Sequence, residues 1–277
     1  MKEAQLSTSV VVATYDEEEH IGRLLGSLRD QAAPPLEVIV ADDGSSDATA
    51  AVAEGAGARV LRLPHRGPAA ARNAAAAVAR GDVLVFLDGD MACAPEFLER
   101  LVAPIAAGRA IGTFTKEIFI ANTDNRWARA YAALRWSPPN RLLPAEFPDE
   151  WDAFRAIRRD AFLRVGGLDD VGYGEDLTLA RKVGEQALAA TGAVCFHYHP
   201  GSVREIFGNG RWVGRGAAIR TLRNPWWDHA PPRVFAIGVR QVLQRRTPWV
   251  LPARAVYHSA VLLGLAETSL RPERHWK

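Results

Sequence analysis

Four short apolar runs, at 9–14, 36–41, 58–63 and 83–87, alternate with segments of the length and pattern of one helix each. Strands that are apolar along their whole length belong in a sheet covered on both faces, and successive parallel strands need a helical crossover. The alternation therefore predicts an α/β chain built on a mostly parallel sheet flanked by helices. Between the first two runs, Ile21, Leu24, Leu25 and Leu28 recur at helical spacing behind an acidic opening from Asp16 to Glu19. An Ala-rich helix is expected over 69–79.

In such sheets, ligands bind beyond the carboxyl ends of the strands. Three of the runs stop there at acidic clusters: Thr14-Tyr15-Asp16-Glu17, Asp42-Asp43 and Asp88-Gly89-Asp90. The clusters are far apart in sequence, and the predicted sheet brings them to one crevice. The last delivers two carboxylates at the end of a buried strand. Mg²⁺ and Mn²⁺ prefer oxygen ligands, and Mg²⁺ is commonly held by one or two carboxylates while water and substrate phosphates complete its shell. The cluster thus points to a phosphorylated ligand, although Asp and Gly also suit a plain turn.

The second half is less periodic. Segments 110–120, 151–158 and 193–198 read as strands, 124–136 and 177–183 as helices, and 137–150 as a proline-rich loop. Helices are expected from Ser202 onward. His197 and His199 follow the last strand, and His199, farther along, is the candidate metal ligand, with a structural histidine as the other reading.

In this order, Val11 to Glu18, Val40 to Asp47, Gly67 to Asn73, Asp88-Gly89-Asp90 and Gly174-Glu175-Asp176 resemble the inverting family-2-type glycosyltransferases of the GT-A fold. Arg211-Trp212 resembles the Arg-Trp pair of processive members. The resemblance implies a Rossmann-like mixed sheet and a nucleotide-sugar site with an Asp-x-Asp motif and Mn²⁺ or Mg²⁺. Tyr15, Glu17 and Asp43 would contact base and ribose, with Thr14 and Gly89 in the same donor set. Arg72 would lie along the donor pocket, Asp88 would meet ribose or metal, and Asp90 would bind the metal. Asp176, beside Glu175, would be the base for the acceptor hydroxyl. For Asp176 the residue reading alone also allows helix capping. Arg211 and Trp212 are candidates for diphosphate or acceptor contact, or for helix packing. The chain departs from the pattern at Ala13, Asp16 and Gly208-Asn209-Gly210, which lacks the glutamine of processive members, and this argues against polymer synthesis.

The function expected is metal-dependent, inverting transfer of one sugar from a nucleotide donor to a hydroxyl of a carbohydrate or lipid-linked acceptor. A nucleotidyltransferase, or an inactive nucleotide- or carbohydrate-binding protein, is the alternative. Two domains are expected, a catalytic one at 1–200 and a basic helical extension at 201–277. The extension carries 13 Arg and Lys against 4 Asp and Glu, a balance suited to lipid headgroups or a phosphorylated acceptor. No nucleic-acid-binding motif accompanies it. Residues 1–9 hold no apolar stretch of the signal-peptide kind, and Cys93 and Cys195 make no short metal or redox motif. A cytoplasmic setting, peripheral on the inner face of a membrane, follows as the expectation, with 250–265 as a packed or interfacial helix.

Overall fold

The computed structural model describes residues 6–216 and 224–270. Residues 1–5 of the N-terminal segment, and 217–223 and 271–277 of the expected helical extension, lie outside the described residues. The chain divides into two compact units. One holds the described residues up to Ile118, with Ala145–Asp170 and Glu175–His197; the other holds Phe119–Pro144, Val171–Gly174 and the described residues from Tyr198 onward.

The first unit is built on β1 (Thr8–Thr14), β2 (Glu37–Asp42), β3 (Arg59–Arg62) and β4 (Val83–Asp88), joined by α1 (Ile21–Arg29), α2 (Thr49–Gly55) and α3 (Pro68–Val78). Val10, Val11, Val12, Val83, Leu84 and Val85 are fully buried, as strands covered on both faces require. The four predicted α1 positions are its buried residues. All four strands run parallel in the order β3-β2-β1-β4. Ala13 pairs with Asp88 and Thr14 with Asp42, so the acidic ends of β1, β2 and β4 finish level with one another.

Beyond β4 the sheet is mixed. The single strand expected at 110–120 is two, β6 (Gly112–Phe114) and β7 (Ile118–Ile120), and that expected at 151–158 is β8 (Glu150–Trp151) and β9 (Ala156–Arg158). The first break has a local cause. Thr115 Oγ1 accepts from the Glu117 backbone N–H at 3.0 Å and donates to Ala193 O at 2.6 Å, a side-chain turn that interrupts the ladder. β9 lies antiparallel between β4 and β6, and β10 (Ala187–Ala189) extends the sheet to β8. In a second, three-stranded sheet, β5 (Met91–Cys93) and β11 (Cys195–His197) pair antiparallel and set Cys93 opposite Cys195. Helices α4 (Phe97–Ala106), α6 (Arg159–Arg164) and α7 (Thr178–Val183) complete this unit.

The second unit is helical: α5 (Arg126–Leu134), α8 (Val203–Arg215), and the helices Pro231–Arg245 and Val250–Leu270 surround a core of Tyr131, Ile206, Tyr257, Val261 and Leu265. The approach of α8 to the last helix needs glycine. A Cβ on Gly214 would sit 2.2 Å from Val261 O, and one on Gly210 would sit 2.5 Å from Tyr257 O. In the Gly208-Asn209-Gly210 segment, Gly210 thus serves helix packing, and Asn209 Oδ1 accepts from the Tyr131 hydroxyl at 2.6 Å. Val250–Leu270 is a packed helix, and no described helix is long and apolar enough to cross a membrane.

Candidate functional site

The turns after β1 and β2 are stitched to each other. Asp16 has φ 54°, a left-handed conformation that Asp and Asn adopt more readily than most residues. From there its Oδ1 accepts the Ser46 N–H at 2.7 Å, while its own N–H donates to Ser45 Oγ at 2.9 Å. Glu17 N–H donates to Thr49 Oγ1 at 2.7 Å, Glu18 N–H to Asp47 Oδ2 at 3.1 Å, and Ala48 N–H to Glu18 Oε2 at 2.8 Å. Asp at position 16 keeps the conformation and the acceptor that this stitch needs.

Gly89 closes the β4 end against β1. A Cβ there would lie 3.2 Å from Glu17 Cγ and 3.3 Å from Thr14 Cγ2, so Thr14, Glu17 and the two acids of β4 share one small volume. Thr14 Oγ1 is buried there with no hydrogen-bond partner among the described residues.

Asp88 and Asp90 then diverge. Arg72 of α3 donates to Asp88 Oδ1 at 2.7 Å and, through its other terminal nitrogen, to Glu175 Oε1. Arg155 donates to Asp88 Oδ2 at 3.1 Å and to Phe86 O at 3.2 Å. Burial works to raise the Asp88 pKa, but Arg155 and Arg72 outweigh it and hold the carboxyl well below the usual range. Both Asp88 oxygens are thereby engaged by arginines. Arg155, which sequence reasoning missed, could have been suspected as the basic residue inside a buried strand-like segment.

Asp90 has no such arginine. Burial, with Asp88 and Glu17 adding and His197 opposing, pushes its carboxyl up to about 6. Its Oδ1 is buried with no hydrogen-bond partner among the described residues, and its Oδ2 lies 3.6 Å from His197 Nε2. A carboxylate oxygen held out of water and unpaired fits a cation ligand. Among the described residues no three His, Cys, Asp or Glu group to hold a metal by themselves. Asp90 instead suits a hard cation that takes one or two protein carboxylates and fills its shell with water and diphosphate.

The remaining donor-side residues are placed by the same sheet end. Asp43 accepts the Arg66 and Gly67 N–H groups, each at 2.8 Å, and its Oδ2 lies 2.8 Å from His65 Nδ1. Its carboxylate therefore shapes the loop before α3. That loop seats His65 against Tyr15, ring centroids 4.3 Å apart, leaving Tyr15 47% exposed. Asp176 is exposed in the single 3₁₀ turn Glu175–Leu177, while Glu175 is buried on Arg72. Burial raises the Glu175 pKa despite Arg72.

The other candidates lie in the second unit. His199 is buried, its ring edge-on to Tyr131 at 5.3 Å, and its backbone N–H donates to Asn122 Oδ1 at 3.1 Å. Of the two histidines weighed, His197 is the one set on Asp90, because the pairing of β11 with β5 puts His197 opposite Met91, next to Asp90. Arg211 is bound by Glu267 through Nε at 2.9 Å and Nη2 at 2.6 Å, and Trp212 stands edge-on to Tyr173 at 5.1 Å. Both contacts lie within the second unit.

Residues 9–166, more than half of the chain, match Glycosyl transferase family 2. The chain belongs to this family. Among relatives of this family-2 chain, the pre-mycofactocin glycosyltransferase of Mycobacterium tuberculosis is 28% identical over 244 residues, covering 83% of this chain and 50% of that protein. The polyprenol monophosphomannose synthase of Mycolicibacterium smegmatis is 29% identical over 180 residues, covering 60% and 68%. The chain spans half or less of the length of several curated relatives it matches. The fold resembles that of a mannosyltransferase, PcManGT of Pyrobaculum calidifontis, solved with GDP-Man and Mn²⁺, at a TM-score of 0.55 and 22% identity over 98% of this chain and 83% of that one.

Proposed function

We propose that this family-2 chain transfers one sugar from a nucleoside diphosphate donor to a hydroxyl of a carbohydrate or lipid-linked acceptor, with inversion at the anomeric carbon and with a divalent cation. The observation that carries the reading is a division of labour among four acids. Asp88 and Glu175 are locked by Arg72 and Arg155, whereas Asp90 keeps an unpaired buried oxygen and Asp176 is exposed. A single displacement needs one base and a stabilised leaving group, and no covalent nucleophile.

Asp176 accepts the hydroxyl proton as the acceptor oxygen attacks the anomeric carbon, and the bonding pair departs on the diphosphate. Asp90 and His197 would hold Mn²⁺ or Mg²⁺, which when bound would supply Lewis-acid neutralisation of that diphosphate. Tyr15, backed by His65, offers the nucleobase a face, and Thr14 and Glu17 offer the ribose polar partners. Arg72 fixes the turn that bears Asp176 to the end of β4.

The GDP-Man and Mn²⁺ of the Pyrobaculum structure support donor class and cation. The polyprenol in the name of the Mycolicibacterium relative supports a lipid-linked acceptor. The family match favours glycosyl over nucleotidyl transfer. Calorimetric titration with UDP, GDP, dTDP and CDP, each with Mn²⁺ and with EDTA, tests the donor side. One nucleotide is expected to bind in a metal-dependent manner, and equal binding in EDTA contradicts the cation. The product of the matching sugar donor, followed by NMR at the anomeric proton, is expected inverted; a retained product overturns the single displacement.

A further inference from the structure

The helix Pro231–Arg245 buries one side and leaves the other uncovered. Val234, Gly238 and Gln241 are buried, while Phe235, Val239 and Leu243, spaced four apart, form one exposed stripe. Phe235 is 64% and Leu243 76% exposed, and their alignment with Val239 in one stripe is what marks the face, since single exposed apolar side chains are ordinary. Arg233 and Arg240, seven apart, run along the helix beside this stripe. The short helix Pro225–Asp228 just before it exposes Trp226 and Trp227, and Trp249 just after it is 40% exposed. Over 224–250 the sequence holds four arginines against one aspartate.

Protruding apolar and indole side chains interleaved with arginine are the composition of a surface that lies in a bilayer interface. Tryptophan rings settle at headgroup level, and arginine stems cross the apolar boundary while their guanidinium groups stay with lipid phosphates. The positive balance complements an anionic leaflet. A span is excluded for this element, since no described helix is long and apolar enough to cross a membrane. The longer helix Val250–Leu270, the more apolar of the two in sequence, puts Val250, Tyr257, Val261 and Leu265 into the core of its own unit.

We propose that the helix Pro231–Arg245, with Trp226 and Trp227, is an interfacial docking surface for an anionic lipid bilayer. The test is sedimentation with vesicles of phosphatidylcholine alone and of phosphatidylcholine with about 30 mol% phosphatidylglycerol, at low and high salt, with tryptophan emission followed in parallel. The protein is expected to sediment with anionic vesicles at low salt with a blue-shifted emission. The F235S/L243S variant is expected to bind at least about tenfold more weakly, and Arg240→Gln about fivefold more weakly at low salt. Both positions of the double variant are exposed, so its fold is checked by retained nucleotide binding, which also separates failure here from failure of the catalytic reading. Wild-type protein that ignores anionic vesicles, or a double variant that sediments as well as wild type, overturns the proposal. A concentration-dependent dimer abolished by F235S/L243S, with no vesicle binding, assigns the face to a second copy and overturns it equally.

Discussion

Asp88 and Asp90 stand two residues apart, yet their surroundings pull their protons in opposite directions. Two guanidinium groups overcome burial at Asp88, and nothing comparable reaches Asp90. Asp90→Ala is therefore expected to weaken donor-nucleotide binding at least about tenfold in Mn²⁺ and to leave binding in EDTA unchanged; equal loss in both would remove Asp90 from the metal. Arg72 holds Asp88 and Glu175 with separate nitrogens of one rigid planar fork, and a lysine offers a single ammonium without that geometry. Arg72→Lys is expected to lower kcat by about tenfold to a hundredfold with little change in KM for the donor, as a misplaced base would. An unchanged kcat argues that the bridge is structural only. Asp43, Asp88 and Asp90 were legible in the sequence because they stand at the ends of apolar runs, whereas Glu175 and Asp176 were named only through the family resemblance. Of their partners, Arg72 was named, but Arg155 and His65 were not: they reach the site through strand order and loop seating.

At the scale of elements, the long buried strands and the periodic α1 announced themselves, whereas β5, β6, β7, β9, β10 and β11 are three residues each, too short to show a period of two. The same shortness hid the facing of Cys93 and Cys195, 102 positions apart in sequence and joined only by the β5–β11 register. Between the helices of the second unit, His229 and His258 meet through their Nδ1 atoms at 2.6 Å. Burial, then Arg254 and His229, push His258 down to about 3, and burial lowers His229 too. Free histidine titrates near 6.5, so below that pH the unfolded chain takes up a proton that the folded one refuses. Stability from this pair is fully present above about pH 6.5 and is lost as pH falls toward about 3, at about 1.4 kcal/mol per unit for one proton. Urea unfolding at pH 7, 6, 5 and 4.5 is expected to show a steeper decline for wild type than for His258→Gln, and parallel profiles would contradict the pair's role.

For the whole molecule, the family was legible because the sheet turns sequence order into spatial convergence: ends of β1, β2 and β4 finish level, and the motifs that carry the resemblance include all three ends. The helical unit was not legible in the same way. Arg211 and Trp212 resemble functional residues, and only packing on Glu267 and Tyr173 shows what they touch. The more apolar of the last two described helices packs Tyr257, Val261 and Leu265 inward, while the exposed stripe belongs to its neighbour. The account rests on Asp176 as the base beside a donor site that forms without it. The most direct measurement compares Asp176→Asn with wild type for donor-nucleotide affinity and for single-turnover sugar transfer. The account predicts affinity within about threefold and transfer slowed by about a hundredfold to ten-thousandfold; transfer at the wild-type rate, or donor binding lost together with transfer, would contradict it.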